Sequence, residues 1–310
     1  MSDLAPWPPK GFARRRVALA TGVALDVTLG GAVDGSPVIL LHGFPESART
    51  WRHQLTDLAA EFRLVAPDQR GFVGSDKPRA VEAYKPDRLV ADVFALADAL
   101  GLERFALVGH DWGGAVAWAA ALKQPERVTG LAVINGPHPY VFQDSLWRDP
   151  AQRAASQYVN QYRDPDFAAR VRRGGLGRFL DEALAPHLAP GLLTPALKAA
   201  YLEEWSHPGA LEAMFNWYRA SPLVVPAVGG QTPRPSWLDR PFPKVEAPVL
   251  VIWGMQDRAL LPVLLTGLGR FVLKLRVETV DGGHFLTWER PAPVTLALGA
   301  FLRECTGEPA

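Results

Sequence analysis

The stretch that most constrains this chain is Phe105-Ala106-Leu107-Val108 running straight into Gly109-His110-Asp111-Trp112-Gly113-Gly114. A short, continuously apolar run suits a strand buried on both faces. The glycines allow a tight turn and a close approach of the next element, and the apolar residues from Ala115 to Leu122 predict a helix at once. A strand, a sharp turn holding one reactive side chain and a helix make a nucleophile elbow, which presents that side chain at the C-terminal edge of a sheet. Here the side chain is a carboxylate, Asp111. The competing reading, an aspartate that only caps the helix at Trp112, leaves the glycines on either side without a reason. A carboxylate nucleophile forms an alkyl ester when it attacks a carbon bearing a leaving group, and it is a poor choice for cleaving peptides or esters. The elbow therefore points to displacement at carbon.

The rest of the chain supplies a sheet for this elbow. Arg15 to Leu19 and Val23 to Leu29 alternate around Thr21-Gly22 and predict an antiparallel hairpin. Pro37 to His42, Phe62 to Ala66, Val128 to Ile134, Val249 to Trp253 and Leu273 to Val280 read as further strands. Helical spacing marks Glu46 to Phe62, Leu89 to Leu100 and Val294 to Arg303. Strand and helix alternate as far as residue 135, the pattern of a parallel sheet covered by helices. From Gly136 to about Phe242 the chain is instead helical, rich in aromatic residues and free of strand signals, and no internal repeat is visible. The expected organisation is one α/β domain formed by residues 1–136 and 243–310, interrupted by a helical insertion over residues 137–242.

Composition narrows the function. Of 310 residues, 48% are hydrophobic and 21% charged, which excludes a disordered chain. Thirty-three basic against thirty-two acidic residues leave a net charge of +1, with no electrostatic footprint for nucleic acid or an anionic membrane. A single cysteine, Cys305, argues against a disulfide-stapled secreted scaffold. The opening residues are broken by prolines and do not read as a signal peptide, and no apolar run approaches the ~18–20 residues of a membrane span. A cytoplasmic protein is expected.

Other residues complete a chemistry around Asp111. His42-Gly43-Phe44-Pro45 ends a buried strand, and the proline makes a cis turn a candidate there. Such a turn leaves the Phe44 N–H free, and with the Trp112 N–H it supplies the two donors of an oxyanion hole. His42 itself reads as a brace for the loop. Among seven histidines, His284 stands out, because Asp281-Gly282-Gly283-His284-Phe285 is a glycine-rich loop at the C-terminal end of a core strand. The acid that orients it is expected between nucleophile and histidine in chain order. Asp257, just past Val249 to Trp253, fits. Asp281 reads as a turn residue, and the other location, after the sixth strand, holds Asn135-Gly136.

His42-Gly43-Phe44-Pro45-Glu46-Ser47, Pro67-Asp68-Gln69-Arg70-Gly71-Phe72, Gly74-Ser75-Asp76-Lys77-Pro78 and Gly109-His110-Asp111-Trp112-Gly113-Gly114 together resemble the epoxide hydrolases of the α/β-hydrolase superfamily. The resemblance runs from about Arg15 to Leu302, is strongest in the first half and loosest from about Tyr162 to Ala210. It implies an α/β-hydrolase fold, a mostly parallel eight-stranded sheet flanked by helices, with a helical cap inserted after the sixth strand. It implies no cofactor and no metal. It also implies two cap tyrosines that hold and protonate the epoxide oxygen. Tyr158 matches the first through Tyr158-Val159-Asn160-Gln161-Tyr162-Arg163-Asp164-Pro165, with Tyr162 a nearby competitor. Tyr218 matches the second through Phe215-Asn216-Trp217-Tyr218-Arg219. Substrate contacts are then expected from Tyr158, Tyr218, Phe44 and Trp112, with a small-molecule epoxide and water as partners. A homodimer is left open.

The nearest rival is a dehalogenase, which uses the same aspartate, acid and histidine. A haloalkane dehalogenase carries an asparagine donor where this chain has Phe44, and a haloacetate dehalogenase carries an arginine where it has Trp112. A binding module on the same fold has no reason to keep Asp111, Asp257, His284, Tyr158 and Tyr218 together.

Overall fold

The computed structural model describes residues 6–306. Eight strands, β1 (Phe12–Ala18), β2 (Ala24–Gly31), β3 (Ser36–Leu41), β4 (Phe62–Pro67), β5 (Phe105–His110), β6 (Val128–Ile134), β7 (Val245–Gly254) and β8 (Val272–Val280), form one sheet in the order β1-β2-β4-β3-β5-β6-β7-β8. The hairpin β1–β2 is antiparallel and β2 runs antiparallel to β4, while every pairing from β4 to β8 is parallel.

The apolar runs in the sequence are explained by two cores, one on each face of the sheet. Successive residues alternate between them: Ile39, Leu107, Val133 and Val251 face one side, and Leu40, Val108, Ala132 and Ile252 the other. The helices α1 (Arg52–Leu58) and α12 (Pro291–Thr306) cover the second face, where Leu55, Leu298 and Phe301 are buried. The first face is covered by α2 (Pro86–Ala99) and α3 (Trp112–Lys123) through Val93, Phe94, Val116 and Trp118. A strand buried on both sides gains from apolar residues at every position, which removes the period-two signal.

One expectation changes in detail. The helix read over Glu46 to Phe62 is a short 3-10 turn, Ala48–Trp51, followed by α1. Ser47 caps the turn by accepting the Arg49 N–H, and Glu46 stays outside it, aimed into the protein.

Between β6 and β7 lie seven helices: α4 (Pro139–Arg148), α5 (Pro150–Ala155), α6 (Gln157–Arg163), α7 (Phe167–Gly174), α8 (Leu176–Leu184), α9 (Pro195–Trp205) and α10 (Ala210–Ala220). The short helix α11 (Leu286–Glu289) follows β8. The helical segment is tied to loops at the C-terminal edge of the sheet. Trp205 Nε1 donates to the Pro45 carbonyl and Trp217 Nε1 to that of Arg70, each at 2.9 Å. No described helix is long and apolar enough to cross a membrane.

Candidate active site

Parallel pairing sets the site. Leu41 pairs with Gly109, His110 with Ile134, Ile134 with Ile252 and Gly254 with Val280, so β3, β5, β6, β7 and β8 all end at one edge. The residues that follow them are Gly43-Phe44, Asp111, Asn135, Asp257 and His284.

Asp111 is the single residue between β5 and α3, at φ 49° and ψ −117°. A positive φ is strained for a residue with a Cβ, and it turns the carboxylate out of the strand. The turn is crowded: a Cβ on Gly113 would lie 2.1 Å from the Leu41 carbonyl oxygen, and one on Gly43 would lie 2.5 Å from the Cβ of Asp111. The Phe44–Pro45 bond is cis. The Phe44 N–H donates to Asp111 Oδ1 at 2.8 Å, and the Trp112 N–H serves the same carboxyl group. Burial pushes the Asp111 carboxyl above its ordinary range, against the pull of His284, His110 and these two N–H groups.

His284 Nδ1 donates to Asp257 Oδ2 at 2.7 Å, and its Nε2 lies 3.7 Å from Asp111 Oδ2. Asp257 also accepts the Asn135 side-chain amide at 2.6 Å and the Ala259 and Leu260 N–H groups at 2.8 and 2.9 Å. Burial works against the Asp257 carboxylate, but the His284 charge and these donors hold its pKa below the usual value. For His284, burial again opposes the charge, yet Asp257 first and Asp111 after it raise the pKa to about 9. The Asp257 and Asp111 carboxyl groups on either side of His284 thus favour its charged form. Asn135, at the place where an acid after β6 would stand, serves Asp257 and accepts the Gly254 N–H at 3.0 Å. Asp281 is exposed and accepts from Gln256 at 2.6 Å, as a turn residue does.

Sequence reasoning quoted Glu46 and His110 within motifs and assigned neither a task. Both are buried. His110 Nδ1 meets Glu46 Oε2 at 2.7 Å, and its Nε2 meets the His284 carbonyl at 2.9 Å. Both ring nitrogens face acceptors, so both contacts are hydrogen bonds when the ring carries two protons. Glu46 Oε1 accepts from Thr50 at 2.7 Å and from the Trp288 indole at 2.8 Å. The network pins the backbone of His284 to the strand that carries Asp111. His42 braces its loop: its Nε2 accepts the Gln69 N–H at 3.0 Å, and burial lowers its pKa to about 4.

The opposite wall is aromatic. Tyr158 stands on α6 and Tyr218 on α10, their ring centroids 6.1 Å apart. Tyr218 meets Trp112 and Phe44 edge to face at 5.1 and 4.9 Å. Two cavities, of about 420 and 320 Å³, share Asp111, Tyr158 and Tyr218 as lining residues. Tyr162 lines only the second. Burial raises the pKa of all three phenols. The Asp111 charge adds to that rise for Tyr158 and Tyr218, whereas Tyr162 responds to Glu182. The sequence-predicted residues Asp111, Asp257, His284, Tyr158, Tyr218, Phe44 and Trp112 are thus brought to one place, with Tyr162 beside them facing one cavity.

Comparison with known proteins shows the family. Residues 36–291 match the family described as alpha/beta hydrolase fold. The chain is 36% identical over 284 residues to the AB hydrolase superfamily protein YfhM of Bacillus subtilis (strain 168), covering 91% of this chain and 95% of that one. It is 35% identical over 281 residues to Epoxide hydrolase 4 of Mus musculus, covering 88% and 74% of the two chains. A solved structure described among novel epoxide hydrolases from metagenomes of hot environments superposes with a TM-score of 0.85 at 43% identity, over 94% of this chain and 98% of that one. This chain belongs to the α/β-hydrolase fold family and, within it, to the epoxide hydrolases.

Proposed function

We propose that the protein opens an epoxide to a vicinal diol through a covalent ester on Asp111. One observation carries the reading: a buried carboxylate at an elbow faces an Asp257-oriented histidine on one side and two phenols, one buried and one half-buried, on the other. Asp111 attacks an epoxide carbon, the carbon–oxygen bond breaks, and Tyr158 or Tyr218 gives its proton to the departing alkoxide. Alkylation removes one of the two nearest anions that keep His284 charged, so its pKa falls and it releases a proton to solvent. The neutral ring then takes a proton from water, and the hydroxide attacks the ester carbonyl. The N–H groups of Phe44 and Trp112 stabilise the oxyanion. Collapse expels the diol, which is protonated by His284. The proton shed as Asp111 returns to carboxylate restores the tyrosine, and His284, beside that anion again, takes back a proton from solvent. The helices between β6 and β7, over residues 137–242, serve in this reading as a cap that closes the site and carries the acids.

Halide displacement by the same aspartate needs no proton donor, and it would leave two phenols beside Asp111 without a task. The test is a single turnover in isotopically labelled water. The new diol oxygen should come from Asp111, and His284→Gln should leave an adduct on the peptide carrying Asp111 by mass spectrometry. Label in the first-turnover diol, or no adduct with substrate bound, would refute a carboxylate nucleophile.

A further inference from the structure

The two cavities that meet at Asp111 differ in chemistry as well as size. The larger, about 420 Å³, is walled by Pro86, Leu89, Val116, Phe142, Leu223 and Leu260. Gln143 and Ser221, which also line it, are engaged with backbone. Gln143 donates to the Val224 carbonyl at 2.8 Å and accepts the Val224 N–H at 2.9 Å, and Ser221 Oγ accepts the Leu223 N–H at 3.2 Å. A polar group entering this chamber would lose its hydration for little return.

The second chamber, about 320 Å³, offers the reverse. Apolar residues such as Phe44, Phe167 and Phe179 line part of it, and Gln161, Glu182, His187 and Arg258 add polar groups. His187 follows α8, with its ring centroid 6.1 Å from that of His284. Its Nδ1 is buried with no hydrogen-bond partner among the described residues. Burial, with the His284 charge adding to it, lowers its pKa to about 4, so the ring is neutral and holds one donor and one acceptor. Arg258 is exposed and has no ion-pair partner among the described residues. Glu182 is already paired with Arg178 at 2.7 Å. The buried His187 ring nitrogen is a group awaiting a partner, and the exposed Arg258 guanidinium lines the same chamber.

Each chamber falls within the size range of a ligand site. A terminal epoxide would fill one and leave the other empty. Resting on the epoxide reading above, we infer that the site takes epoxides substituted on both carbons, with an apolar group in the larger chamber and a hydrogen-bonding group met by His187 and Arg258 in the smaller. The shared residues Asp111, Tyr158 and Tyr218 then hold the ring at the junction. Arms of unlike polarity fix which epoxide carbon faces Asp111, so attack and inversion fall on one carbon.

The experiment compares trans epoxides that carry a hexyl chain on one carbon and a hydroxymethyl, hydroxyethyl or hydroxypropyl arm on the other. Each is matched to a counterpart in which methyl replaces the hydroxyl. The full chain should favour the hydroxylated member by about tenfold or more in kcat/KM at one arm length. That ratio should collapse towards one in Arg258→Gln and in His187→Phe. Arg258 is exposed, so its variant keeps the test valid if His187→Phe fails to fold. Equal turnover of both members at every length, or a ratio unchanged in Arg258→Gln, would overturn the assignment of the arms while leaving the epoxide reading intact. No turnover of these epoxides while a terminal epoxide is opened would overturn the inference alone, and no turnover of either kind would overturn both.

Discussion

Asp257 on one wall of the site and Tyr218 on the other are both buried, yet they are held in different ways. Asp257 is fixed by directional bonds from His284, Asn135, Ala259 and Leu260. Tyr218 is fixed by the edges and faces of Trp112, Phe44, Tyr158 and Tyr162. The difference follows from charge. A buried carboxylate without donors is costly, whereas a neutral phenol has an apolar body that packing alone can place. In the proposed mechanism the sheet edge sets protonation, and the helical segment sets shape and proton supply. Substitutions on the first should alter ester hydrolysis and pH dependence. Substitutions on the second should alter epoxide opening.

The largest effect should come from removing both acids on the helical side. Tyr158→Phe with Tyr218→Phe should slow alkylation of Asp111 by about 10⁴-fold, and each single change by ~10–100-fold, because the remaining phenol partly covers. Tyr162→Phe should slow it less than about threefold, since Tyr162 faces only the second cavity. Stopped-flow alkylation traces decide this. Full epoxide opening by a folded double variant would return the acid to Tyr162 and reopen halide chemistry.

On the sheet side, Asp257→Asn should slow ester hydrolysis by about 10³-fold while leaving ester formation far less affected. It should also lower the His284 pKa from about 9, which an NMR titration reads directly. A folded-state pKa raised above the ordinary 6.5 contributes stability that is fully present below pH 6.5 and is lost as pH rises through about 9. Wild-type urea midpoints should thus fall across that window, and the variant's should be flatter. Equal slopes would show that Asp257 does not set the His284 charge.

A smaller effect tests whether charge truly holds this wall. Glu46 and His110 are buried together at hydrogen-bond distance, and weakening a buried hydrogen bond to a carboxylate costs about 1.5–3 kcal/mol. Glu46→Gln should lose that much in urea denaturation. A loss below about 1 kcal/mol would mean that packing, not the pair, secures the His284 loop.

Local motifs carried much of this protein in its sequence. Runs such as Phe105 to Val108 report strands buried on both faces, and glycines around Asp111 report a turn with no room for a Cβ. Those signals are written in consecutive residues, because backbone conformation and close approach are local constraints. Chain order likewise singled out Asp257 and His284, as the residues that follow the last two strands. Tertiary structure alone decided what happens between distant segments. It paired Glu46 with His110, 64 residues away, and turned Asn135 into a donor for Asp257, 122 residues away. It placed Asp111 within the electrostatic reach of Tyr158 and Tyr218 but left Tyr162 to Glu182, although Tyr158 and Tyr162 share α6. A side-chain pairing across the fold leaves no period or spacing in the chain; it exists only once the sheet has brought its strand ends to one edge.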